Sequence, residues 1–109
     1  MNEPESPSDV YMLHLSGRID ANRAPKLDSE LQELLKAGQR NILIDMAQVT
    51  YISSSGLRVL LLAHRRQQQA GGGLMLRNVP QRIMTVLKIA GFDRLFVFCP
   101  QPVSGACAP

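Results

Sequence analysis

The chain has 109 residues, a formal net charge of +3, 45% hydrophobic and 19% charged residues, no tryptophan and two cysteines. That length suits one domain with its own core, and the composition is globular rather than collagenous, disordered or disulfide-built. No apolar run reaches about 18 residues and Met1 to Glu5 is acidic, which argues against a membrane span and a basic signal peptide and leads us to expect a cytoplasmic protein.

The basic residues are scattered. Only Arg65 and Arg66 are adjacent, with no interleaved aromatics, so nothing marks a nucleic-acid surface. Cys99 and Cys107 define no disulfide framework and are expected to be reduced thiols.

In chain order, residues 1–9 hold two prolines, two serines and three acids and are expected to be a flexible tail. Val10 to Ser16 reads as a first strand that Gly17 breaks, followed by a loop through Asp20 and Asn22. From about Ala24 to Ala37 the leucines at 27, 31, 34 and 35 keep the i, i+4, i+7, i+8 spacing of a helix with one buried face, and Gly38 ends it. Asn41 to Asp45 is a β-branched second strand, and Met46 to Tyr51 leads from it to three serines. Leu57 to Gln69 reads as a helix apolar on more than one side, which Gly71-Gly72-Gly73 stops. Leu74 to Arg77 is a third strand, and Pro80 opens a third helix over Gln81 to Ile89. Gly91 stops that helix, and Leu95 to Phe98 is a last strand before a flexible tail over 99–109. The alternation of strand and helix implies one α/β domain over 10–98, its strands tending to be parallel.

Catalysis is the first chemistry to test at the serines. Ser54, His64 and Asp45 supply triad residue types, but the helix puts His64 roughly 15 Å along its axis from Ser54, out of hydrogen-bond reach. Ile52 also stands where a nucleophile elbow needs glycine. The glycine triplet lies between a helix and a strand, the wrong order for a phosphate-binding loop. Two histidines fifty residues apart and two cysteines near the C-terminus have no metal-ligand spacing. The expectation is therefore a protein that is not an enzyme and that uses no metal or cofactor.

The turn Ser53-Ser54-Ser55-Gly56 remains. Ser54 or Ser55 can cap the helix, yet three hydroxyls exceed the needs of one cap, and the small Gly56 is read as leaving the turn open to a partner. A phosphate there would meet the helix's N-terminal N–H groups and the positive end of its dipole. It would also bring about 1.5 to 2 negative charges to a docking surface, the physical basis of a reversible switch.

Leu15-Ser16-Gly17-Arg18-Ile19-Asp20, Ile42 to Asp45 with Val49, Ile52 to Leu57, and Gly91 to Phe96 together resemble the STAS domain of bacterial anti-sigma factor antagonists. The resemblance runs in order over most of the chain. It implies a small, mixed, mostly parallel sheet flanked by helices, with the serine turn as docking surface. It further implies an unmodified form that binds an anti-sigma factor, itself a GHKL-type serine kinase, and so frees a sigma factor. Phosphorylation ends the complex and a PP2C-type phosphatase restores it. Carried over by position, the phosphoacceptor is Ser54, with Ser55 second, and the partner-binding residues are Asp20, Ser53, Ser54, Ser55, Gly56, Leu57 and Arg58. The departure is Ser53, where many members of that family have Asp. The same fold family also includes scaffold or sensor modules and subunits of lipid ABC transporters, which bind an ATPase instead.

Overall fold

The computed structural model describes residues 10–99. The elements run β1 (Tyr11–Ile19), α1 (Ala24–Lys36), β2 (Asn41–Ile52), α2 (Ser54–Gln69), β3 (Gly73–Arg77), α3 (Gln81–Ile89), a short 3-10 turn (Phe92–Arg94) and β4 (Val97–Cys99). The strands lie in the order β1-β2-β3-β4, and each neighbouring pair is parallel. The mixed sheet implied by the resemblance is thus wholly parallel among the described residues. Of the tails expected over 1–9 and 99–109, residues 1–9 and 100–109, Cys107 among them, lie outside the described residues, whereas Cys99 is not in a tail but closes β4.

Sequential parallel strands joined by right-handed helical crossovers place all the helices on one face of the sheet. Burial agrees with that layering. The sheet gives Leu13, Leu15, Ile42, Ile44, Leu74 and Leu76 to the core, and the helices give Leu27, Leu31, Leu57, Leu60, Ile83 and Leu87. Leu43, one residue out of phase, is buried but lies outside that cluster, on the other face.

Two strands run longer than the sequence expectation, and both differences shape the site. Gly17 does not end β1: it takes φ +74 where the pairing with β2 shifts register, so the strand bulges and continues to Ile19. Correspondingly, β2 does not stop at Asp45. Met46, Val49 and Ile52 stay buried beside the prolonged β1, extending the strand to Ile52, directly before the serines. α1 and α3 fall within a residue of where periodicity put them. Pro80 precedes α3 as its N-cap instead of lying within its first turn, and the last strand begins at Val97.

The glycine triplet is indeed a stop. Gly71 takes φ +89, and a Cβ on Gly72 would stand 1.9 Å from the Arg40 carbonyl oxygen. That approach lets the chain turn tightly from α2 into β3.

Candidate functional site

The serine turn lies at the C-terminal end of β2, where the longer strands bring two segments together. The Ser53 N–H donates to the Ile19 carbonyl at 2.9 Å, tying the end of β2 to the end of β1. Ser53 is the N-cap of α2: its extended backbone (φ −90, ψ 172) lets Oγ accept the Gly56 N–H at 3.2 Å. The cap expected at Ser54 or Ser55 is therefore at Ser53, because α2 starts three residues earlier than its leucines indicate. Ser54 and Ser55 are the first two residues of that helix; Ser54 is exposed and Ser55 half-buried.

Gly56 faces inward. A Cβ there would meet Ile19 Cγ2 and Ile52 Cγ1 at 2.9 Å and the Ile19 carbonyl at 3.0 Å. Its smallness serves the close approach of α2 to the strand ends, not an opening toward a partner. Asp20 follows Ile19 and so adjoins the turn. Its Oδ1 accepts the N–H groups of Asn22 (3.1 Å) and Arg23 (3.0 Å), and its carbonyl accepts the Arg23 and Ala24 N–H groups, so this carboxylate is engaged in starting α1. Arg18 and Tyr51, both exposed and each one residue before the end of its strand, stack with the guanidinium carbon 4.2 Å from the ring centroid.

Beyond the turn, Ser54, Ser55, Leu57, Arg58 and Leu61 line an open groove of about 490 Å³, whose far wall is Ala90 and Phe92. Leu57 is buried in its floor and Arg58 is exposed at its edge. The residues expected to bind a partner are thus together at one end of the sheet, Gly56 as a buried support. Sequence reasoning missed the far wall, since Ala90 and Phe92 arrive from the end of α3 and no local pattern ties them to the serines.

The triad types are not brought together. His64 is 5% exposed and packs edge-on against Phe96, ring centroids 5.2 Å apart, with Nδ1 buried and unpartnered. Burial pushes its imidazole below the usual range. Asp45 lies on the opposite face of the sheet. There its Oδ1 accepts from the Ala47 N–H (3.0 Å) and Asn78 Nδ2 (3.3 Å), while Oδ2 lies 3.5 Å from His14 Nδ1 and 3.7 Å from Arg77 Nε. The cluster ties β1, β2 and β3 side by side and has no nucleophile among its members.

A family model described as Mlab, STAS domain, matches residues 3–98. The chain belongs to the STAS-domain family. Among its relatives, the Bordetella bronchiseptica protein BtrV, named as an anti-sigma factor antagonist, is 34% identical over 82 residues, 75% of this chain and 71% of that one. An anti-sigma-B factor antagonist of Staphylococcus epidermidis is 25% identical over 87 residues, 80% of this chain and 81% of that one. A solved Thermotoga maritima protein described as an anti-sigma factor antagonist superimposes with a TM-score of 0.80 at 21% identity, over 89% of this chain and 83% of that one, a likeness of fold. No helix of this STAS domain is long and apolar enough to cross a membrane among the described residues.

Proposed function

We propose that this STAS domain is an anti-sigma factor antagonist working by partner switching in the cytoplasm. In its unmodified form it binds an anti-sigma factor that is also a GHKL-type serine kinase and thereby releases a sigma factor. The kinase then phosphorylates Ser54, the complex ends, and a PP2C-type phosphatase resets it.

The observation that carries this reading is the division of labour between Ser53 and Ser54. Ser53 already caps α2, so Ser54 is left exposed at the mouth of an open groove with no structural duty in the turn. The relatives named as anti-sigma factor antagonists support the same choice of class. Neither the site nor the Asp45 cluster offers a nucleophile with a general base beside it, so binding is the chemistry the geometry supports. A phosphate on Ser54 would put about two negative charges into a docking surface and weaken an apolar or acidic contact there.

The test is recovery of the partner. Immobilised, unmodified protein should retain a GHKL-type kinase from extract of its source cells, and adding ATP should release it. Retention of an ABC ATPase instead, indifferent to changes at Ser54, would replace this reading with that of a transporter subunit.

A further inference from the structure

Charge is unevenly shared among the three helices. α2 and α3 carry Arg58, Arg65, Arg66, Arg82 and Lys88 and no acidic residue, whereas Asp28, Glu30 and Glu33 are on α1, and the 3-10 turn after α3 carries Asp93 followed in sequence by the basic Arg94. Arg66 is spent on α1, its Nη1 donating to Asp28 at 2.9 Å. Arg58 and Arg65 are exposed, and neither makes an ion pair among the described residues.

These two arginines share one ridge. Ser54, Arg58, Leu61 and Arg65 follow at i, i+4, i+7 and i+11, the spacing of a single helix face. The ridge borders the groove floored by Leu57 and Leu61 and closed by Ala90 and Phe92, and next to that wall Ile89 is 82% exposed. The surface is therefore an apolar trough with a cationic edge. The arginines are seven residues apart, about 10 Å along the axis.

We propose that this trough docks an acidic segment of a partner, one large apolar side chain filling the groove and two carboxylates about 10 Å apart meeting Arg58 and Arg65. Carboxylates two turns apart on one face of a helix match that spacing. The inference deepens the partner-switching reading, on which only its regulatory corollary rests. Ser54 is one turn, about 6 Å along the axis, from Arg58, so a phosphate there competes with the partner's carboxylate for the same guanidinium.

The test uses random 16-residue peptides displayed on phage and selected on the intact protein. The expected result is enrichment of sequences with two or more Asp or Glu around one large apolar residue. The best peptide, synthesised, should lose about tenfold in affinity in Arg58→Glu and again in Arg65→Glu, should weaken as salt rises, and should be indifferent to Lys26→Glu on α1. Both arginines are exposed, so the variants should fold. Selected peptides without acidic bias, or binding undiminished by both reversals, would overturn the proposal. The displayed peptides involve no kinase or sigma factor, so failure here is distinct from failure to recover the kinase.

Discussion

Ser53 Oγ accepts the Gly56 N–H at 3.2 Å, and this one bond separates the roles of three adjacent serines. An N-cap oxygen occupied by the third residue of its helix is a structural group. Removing it in Ser53→Ala should cost about 1 kcal/mol. Ser53→Asp should keep the cap and gain a few tenths of a kcal/mol from the helix dipole. Denaturant midpoints of the three proteins give the order; an alanine variant as stable as the parent would contradict the cap.

Gly56 is the second support of the turn. An alanine Cβ would stand 2.9 Å from Ile19 Cγ2 and Ile52 Cγ1, inside normal contact, and the 3.0 Å approach to the Ile19 carbonyl cannot be relieved by a side-chain rotation. Gly56→Ala should destabilise by about 1–3 kcal/mol, the range for an overpacked core. Ile52→Ala, which removes the Cγ1 in that contact, should cost less in the Gly56→Ala background than in the parent, as read from thermal melts of the four proteins.

Much of this was legible in the residues themselves. The leucine spacing of α1 and the flanking glycines located that helix, and an apolar surface around α2 foretold a helix buried on more than one side. The length of β2 was not legible, because Ala47, Gln48, Thr50 and Tyr51 interrupt its apolar pattern and only pairing with the bulged β1 keeps them extended. The start of α2 was hidden for a related reason: Ser54 and Ser55 are polar helix positions, and periodicity sees a helix only from its first buried leucine. Tertiary partners such as Phe92 have no local signature at all.

Gln67 is the clearest instance. It is one of three consecutive glutamines, yet it is 1% exposed and its Nε2 donates to the carbonyls of Gln39 and Arg40, latching α2 to the loop before β2. Gln67→Leu keeps the volume but removes the side-chain donor from the Gln39 carbonyl and leaves the Arg40 carbonyl with the Gly73 N–H, and should cost about 1–3 kcal/mol. Gln68→Leu and Gln69→Leu, at exposed positions, should change stability by under about 0.5 kcal/mol. Equal effects at all three sites would refute the latch.

His64 gives the fold a pH dependence with a definite sign. Burial lowers its pKa in the folded state, so the unfolded chain binds a proton more readily. The contribution is fully present above the unfolded value of about 6.5 and is lost as pH falls from there toward the folded value. Urea unfolding across that window should show stability declining with acidity, and His64→Leu should flatten the part of the slope that this group supplies. An unchanged slope in the variant would assign the dependence elsewhere.

On the proposed partner switch, the exposed Ser54 and not the capping Ser53 receives the phosphate. After incubation with the kinase and ATP, fragment-ion mass spectrometry of the peptide spanning 41–58 should place one phosphate on Ser54, and Ser54→Ala should abolish it while leaving partner binding intact. A phosphate on Ser53, or full modification of the Ser54→Ala protein, would contradict the account.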